Sequence, residues 1–234
     1  MFKLESVVAV VTGGGTGIGQ YMAAALAKNG ATVYIIGRRQ AKLEETIRLY
    51  GNGRMKALVG DVTKKEDLLR MAKEVEADAG YVTFAVCNSG VMGQKPSNAY
   101  PNKSTDIKEL QKAMWDIDFD NWGDVFKTNV TSVYYTAVAF LHLLSKGTEV
   151  TKSLGYDSSI LTISSIGGNL KVLSSNFAYQ TSKAGATHLG KVFAEYFSTL
   201  KIRSNVISPG IFPSEMTVST KDDGTVVSSS IKYA

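Results

Sequence analysis

The chain has 234 residues, 44% of them hydrophobic and 20% charged, which is the composition of a folded domain and excludes a disordered one. Its 26 Lys and Arg exceed its 21 Asp and Glu for a net charge of +5, but no basic run exceeds two residues, so no nucleic-acid surface is expected. With Cys87 as the only cysteine, no signal-peptide block in residues 1–5, and an apolar stretch at 130–144 broken by Thr131, Ser132, Thr136 and His142, no disulfide or membrane span is expected, and a cytoplasmic location is.

Apolar, β-branched runs alternate with helix-like stretches along the chain. Residues 6–12 (SVVAVVT) predict a strand, 19–29 a helix stopped at Gly30, and 31–36 a second strand. A helix over 40–50, a strand over 55–59 and a helix over 64–78 follow, the last with Leu68, Leu69, Ala72 and Val75 at helical spacing. Residues 81–87 predict a fourth strand, 121–144 a long helix, 159–163 a fifth strand, 176–200 a long helix and 203–207 a sixth strand. Residues 94–105 and 145–158 read as loop or insertion, and 218–234 as a polar, weakly structured tail. Continuous apolar strands imply burial on both faces, and their alternation with helices implies one α/β domain over 1–234, a doubly wound parallel sheet.

Residues 12–19 read TGGGTGIG where a strand gives way to a helix. Glycines there let the backbone turn sharply, and the helix N-terminus offers unpaired N–H groups to a pyrophosphate. The spacing is T-G-x-x-x-G-x-G, using Gly13, Gly17 and Gly19, with Gln20 where the commoner fingerprint has its last glycine. At the end of the second strand, where NAD sites place a carboxylate for the ribose 2′-hydroxyl, stands Gly37 followed by Arg38 and Arg39. With no carboxylate to repel a 2′-phosphate and arginines to grip one, the expected cofactor is NADP(H).

Tyr179 and Lys183 are spaced i, i+4 in the helix from Asn176, so phenol and ammonium share a face. The expectation is that the cation lowers the tyrosine's pKa enough for acid–base work. Ser164 and Ser165 close the fifth strand at its carboxyl end, where open α/β sheets hold ligands, and either can hold a substrate oxygen beside Tyr179.

In order along the chain these features resemble the short-chain dehydrogenase/reductase family, in its smaller, single-domain, NADP-preferring branch. The likeness rests on residues 12–19, Asp61-Val62, Asn88-Ser89-Gly90, Asn129, Ser164-Ser165, Tyr179-x-x-x-Lys183 and Pro209-Gly210. It implies strand order 3-2-1-4-5-6 and a catalytic tetrad of Asn129, Ser165, Tyr179 and Lys183. It implies cofactor contacts from Gly13, Gly17, Ile18, Gly19, Arg38, Asp61, Val62, Asn88, Gly90, Tyr179, Lys183, Pro209 and Gly210. Asp61 and Val62 would flank the adenine, Lys183 the nicotinamide ribose, and Asn129 would hold a water relaying protons to Lys183. A small carbonyl or alcohol substrate, a homo-oligomer and no metal follow from the same likeness.

Three departures accompany it. Ser165 lies 14 residues before Tyr179, one more than is usual, which keeps Ser164 open for the serine's role. Ser89 stands where the family has alanine. After Pro209-Gly210 the family continues through a substrate-covering helix to a seventh strand, which is missing before Ala234. The alternative expectation is therefore a truncated, catalytically defective cofactor-binding or interaction protein. Residues 210–217 (GIFPSEMT) resemble fungal or bacterial reductases of the 3-oxoacyl and polyol type. The substrate is expected between 92–119 and the segment after 210. His142 and His188 read as structural or surface residues, Cys87 as a small hydrophobe, and Trp115, Phe119 and Trp122 as core packing.

Overall fold

A computed structural model describes residues 3–94, 101–102, 104–173, 175–212, 214, 218–220 and 226–228. Its first half alternates strictly: β1 (Val8–Thr12), α1 (Gly17–Lys28), β2 (Thr32–Gly37), α2 (Gln40–Tyr50), β3 (Met55–Val59), α3 (Lys65–Ala79) and β4 (Phe84–Cys87). Then come α4 (Ile107–Trp115), α5 (Phe119–Phe126), a π-helical turn over Lys127–Thr131, α6 (Ser132–Ala139) and α7 (Leu141–Thr151). β5 (Ser159–Ile163), α8 (Phe177–Tyr196) and β6 (Arg203–Ile207) complete the main layers, and β7 (Val218–Thr220) pairs with β8 (Val226–Ser228).

The sheet is parallel in the order β3–β2–β1–β4–β5–β6, the doubly wound order expected. β1 and β5 are buried at every position because helices cover both faces. Alternate residues of β1 feed two cores. Val8 and Val10 join Ile36, Met71, Phe140 and Phe193 on one side, and Ala9 and Val11 join Val33, Ile35, Ala27 and Leu43 on the other. Each fully buried large aliphatic contributes about 1.5–3 kcal/mol. β6 lies at an edge of the sheet, with Arg203, Asn205 and Ile207 exposed, so its pattern alternates instead of running continuously. The order reverses between β1 and β4, whose carboxyl ends open a crevice.

Several sequence expectations change. The long helix over 121–144 is a chain of four helical pieces from Phe119 to Thr151, broken by the π turn and by a buried Phe140. Residues 145–151 are helix, not loop. Gly147 marks close approach rather than a stop: a Cβ there would overlap Val82 O, and Thr148 accepts from Ser158 N at 3.1 Å. α4 was not anticipated; Asp106 caps it, accepting from Lys108 N at 2.7 Å and Glu109 N at 3.3 Å. Trp115 and Phe119 are 84% and 91% exposed, and Trp122 is exposed too. They do not pack the core, because α4 buries Ala113 and α5 buries Val125 instead. The strands of 218–228 pair antiparallel apart from the main sheet, and the rest of the expected tail lies outside the described residues. So do residues 95–100 and 103 of the first expected loop.

Candidate active site

The glycine turn takes its shape from the neighbouring strands. Thr12 Oγ1 accepts from Asn88 N at 2.9 Å and Ser89 N at 3.0 Å, and donates to Val86 O at 3.3 Å. The Asn88 side chain donates to Thr12 O at 2.9 Å and to Gly13 O at 3.3 Å. Asn88 thus braces the turn from beneath. Gly13 and Gly17 have φ of +65° and +56°, a region costly for any residue with a Cβ. Gly19 is helical, but a Cβ there would overlap Gly13 O and Asn88 Nδ2. The Thr16 side chain makes no cap bond to α1, which leaves that helix's first N–H groups to other partners.

Beside the turn lies a cleft of about 180 Å³ at the carboxyl ends of β1 to β4. Gly13, Arg38, Asp61, Val62 and Gly90 line it, together with Arg39 and Lys42, whereas Gly17, Ile18, Gly19 and Asn88 frame the turn. Burial opposes ionisation of Asp61, but the Thr63 N–H and hydroxyl, at 2.9 and 2.8 Å, with Arg38 and Lys64 nearby, hold its carboxyl below the usual range. A cleft lined by glycines and by Arg38, Arg39 and Lys42 suits a phosphorylated ligand. Pro209 is tied to the β5–α8 loop through Ile166 N, which donates to its carbonyl at 2.8 Å, and Gly210 is exposed beyond it.

The other expected residues meet across the crevice. Asn129 sits in the π turn, 1% exposed. Its Oδ1 accepts from Val91 N at 2.8 Å, and its Nδ2 donates to Val91 O at 3.0 Å and to Ser182 Oγ at 2.9 Å. Lys183 is buried, its Nζ donating to Ile163 O at 2.9 Å and lying 5.7 Å from the centre of the Tyr179 ring. Gly90 fits between: a Cβ there would stand 3.2 Å from Asn129 Oδ1 and 3.4 Å from Lys183 Nζ. The two serines separate. Ser164 is buried, its hydroxyl within 2.8 Å of Lys183 O and 2.7 Å of Thr187 Oγ1. Ser165 is the one whose hydroxyl acts on the Tyr179 phenol, pulling its pKa down.

The expected depression of the tyrosine does not hold. Burial pushes the Tyr179 phenol above its ordinary value, and the Ser165 hydrogen bond only partly offsets that. Burial also brings Lys183 down to about 8, so the cation itself is weakened in the interior. Two positions escaped the sequence reading. Ser182 joins Asn129 to the Tyr179 carbonyl, to which it donates at 2.7 Å. Asn176, the cap of α8, accepts from Tyr179 N at 2.7 Å and donates to Met92 O at 2.7 Å. The capping signal of Asn176 was readable; its second bond, between residues 84 positions apart, was not. His142 lies on the surface 3.5 Å from Glu76, and His188 is exposed. Burial raises the Cys87 thiol to about 12, in keeping with a small core residue.

The sequence model of short chain dehydrogenases matches residues 7–224. The short-chain dehydrogenase/reductase PhomF of Diaporthe leptostromiformis is 39% identical over 218 residues, covering 93% of this chain and 73% of its own length. Among solved structures, the Pseudomonas aeruginosa RhlG/NADP active-site complex superposes with a TM-score of 0.78 at 29% identity, over 92% of this chain and 77% of that one. A 3-ketoacyl-(acyl-carrier-protein) reductase from Brucella melitensis, complexed with NADH, gives 0.75 at 25% identity over 92% and 79%. Sequence match, strand order and the crevice at the switch point converge: the chain belongs to the short-chain dehydrogenase/reductase family, a family of oxidoreductases.

Proposed function

We propose that this protein transfers a hydride between NADP(H) and a carbonyl/secondary-alcohol pair, with Tyr179 as general acid and base. The observation that carries the reading is the buried Lys183 Nζ 5.7 Å from the centre of the Tyr179 ring, with the Ser165 hydroxyl lowering the phenol's pKa from the other side. Bound nicotinamide supplies or takes up the hydride. Tyr179 gives its proton to the carbonyl oxygen, or takes one from the alcohol. When substrate is bound, Ser165 turns its one proton from Tyr179 to the same oxygen and polarises it. Lys183 gives up a proton readily near neutrality, because burial weakens its hold to about 8. It is therefore suited to replenish Tyr179, with Asn129 holding the relaying water. Gly13, Gly17, Ile18 and Gly19 hold the pyrophosphate, Asp61 and Val62 flank the adenine, and Asn88, Gly90, Pro209 and Gly210 line the rest of the cofactor.

The preference for NADP(H) rests on Arg38 in the cleft and on the absence of a carboxylate at Gly37. One similar structure carries NADP and another NADH, so the residues at the end of β2 decide the matter within a shared fold. The likeness to a 3-ketoacyl reductase makes 3-oxoacyl thioesters the first compounds to try, followed by polyol-derived ketones. A homo-oligomer belongs to the same reading.

The test is oxidation of NADPH across a panel of carbonyl compounds. Tyr179→Phe should lower turnover by about 10²–10⁴-fold while leaving NADPH affinity intact; a variant that still turns over at the wild-type rate removes the assignment. A lower KM for NADH than for NADPH would remove the 2′-phosphate half of it.

A further inference from the structure

Gln180 follows Tyr179 directly but faces away from the phenol, buried under the β5–α8 loop. Its Nε2 lies 3.1 Å from Gly167 O, 3.0 Å from Val172 O and 3.4 Å from Leu170 O. Its Oε1 accepts from Ser175 N at 3.3 Å. One side-chain amide therefore gathers both ends of the loop onto α8. The loop lies hard on that helix, since a Cβ at Gly168 would come within 2.7 Å of Ala184 N.

Gly167 is held on both sides of its Cα. Its carbonyl accepts from Gln180, and the N–H of the same residue donates to Ser165 Oγ at 3.1 Å. A serine oxygen that accepts from a peptide N–H on one side has its own proton free for the other. Here the other side is Tyr179. The path Gln180, Gly167, Ser165, Tyr179 closes on itself, because its two ends are neighbours in sequence. We propose that Gln180 is a positioning residue which, through the two peptide groups that meet at Gly167, fixes the Ser165 hydroxyl as a hydrogen-bond donor toward Tyr179. This rests on the functional reading above and assigns a role that reading leaves open.

The consequence is a pH dependence. Facing the phenol are Lys183, from its own helix, and the neutral Ser165, from the loop. Lys171 of the loop and Lys127 of the π turn are exposed to solvent. Burial raises the phenol and Ser165 lowers it, so slackening Ser165 leaves the burial effect unopposed. Alcohol oxidation needs the phenolate, so its rate climbs with pH through the tyrosine's apparent pKa. Loss of the Ser165 donation moves that climb to higher pH by about one unit, the size of a hydrogen bond to a charged oxygen.

The experiment is a double-mutant cycle read as pH profiles of kcat/KM for NADP-dependent alcohol oxidation, using the alcohol of the best carbonyl in the panel. Ser165→Ala and Gln180→Met should each move the profile alkaline, and Gln180→Met should add nothing in the Ser165→Ala background. Gln180→Glu keeps the shape but loses both N–H donors, and should resemble Gln180→Met. NADPH affinity should be unchanged in all the Gln180 variants. A Gln180→Met profile that superimposes on wild type, or one that shifts equally with and without Ser165, overturns the proposal. Amide exchange reads the same link without substrate. The Gly167 N–H should exchange faster in Gln180→Met while Ala186 in α8 stays protected, and unchanged protection at Gly167 also overturns it. Tyr179→Phe, run alongside, tests the functional reading alone, so the two failures are told apart.

Discussion

The two walls of the crevice are built on opposite principles. On the β1–α1 side, shape comes from missing side chains: Gly13 and Gly17 adopt left-handed backbone, and Gly19 leaves room for Gly13 O and Asn88. On the β5–α8 side, shape comes from side chains that bond one another, as Asn129 does with Ser182 and Ser164 with Thr187. The first wall is specified by sterics and tolerates no added atom. The second is specified by polar partners in a dry interior, where a volume-preserving change is tolerated if the hydrogen bonds survive. A substitution in the first wall should cost fold and cofactor together. One in the second should separate chemistry from stability.

The largest effect should come from the first wall. Gly19→Ala forces a methyl against a backbone carbonyl and a braced side chain, which cannot both yield. We expect a loss of about 3 kcal/mol and of NADPH binding together, read by urea unfolding and by fluorescence titration of NADPH. Binding that survives the loss of stability would break the contrast between the walls.

Lys183→Met should do the reverse. In the folded chain the amine is depressed to about 8, below its ordinary 10.5, so the unfolded chain binds more protons between those values. Stability contributed by this site therefore rises as pH climbs from about 8, at up to about 1.4 kcal/mol per pH unit. Cys87, raised from 9.0 to about 12, acts in the opposite sense once pH passes 9, because the unfolded thiol then ionises first. The clean window is pH 8 to 9. Denaturant unfolding across it should show an upward slope in the wild type that Lys183→Met lacks, while the variant loses turnover. Equal slopes would mean that Lys183 titrates normally and is not dry.

The smallest effect sharpens the second wall. Ser164→Ala removes a hydroxyl bonded to Lys183 O and Thr187 Oγ1. It should cost about 1 kcal/mol and leave the pH profile of turnover where it was. A shifted profile would return Ser164 to the proton path.

The first wall was legible in the sequence in both residues and shape; of the second, the residues were legible but their bonding was not. Apolar, β-branched runs announced β1, β2 and β5, and a glycine pattern announces its own turn, since only glycine fits there. Boundaries failed where tertiary contact overrode local pattern. Residues 145–158 read as loop or insertion, yet Gly147 and Thr148 within them mark the place where α7 presses on Val82 and Ser158. α4 went unseen although Ile107, Leu110 and Met114 recur at helical spacing, and it buries little beyond Ala113. The π turn at Asn129 has no compositional mark, because a shift in hydrogen-bond register costs no particular residue. On the catalytic side, i, i+4 spacing correctly placed Tyr179 near Lys183. It could not give the direction of the tyrosine's shift, which depends on burial contributed by segments far along the chain. Nor could it choose between adjacent serines, whose difference lies in which hydroxyl α8 already holds.

Thr12 gives the glycine turn a dependence on time as well as place. The turn is eight consecutive residues, yet Thr12 and Gly13 draw their polar partners from Ile36, Val86, Asn88 and Ser89. A segment so local in sequence and so non-local in bonding reaches its final form only after β4 has docked beside β1. During folding the cradle is a late arrival, completed by the same closure that sets the sheet's register. A chain with β1 and β4 misaligned would lack the bonds from Asn88 N and Ser89 N to Thr12 that shape the turn.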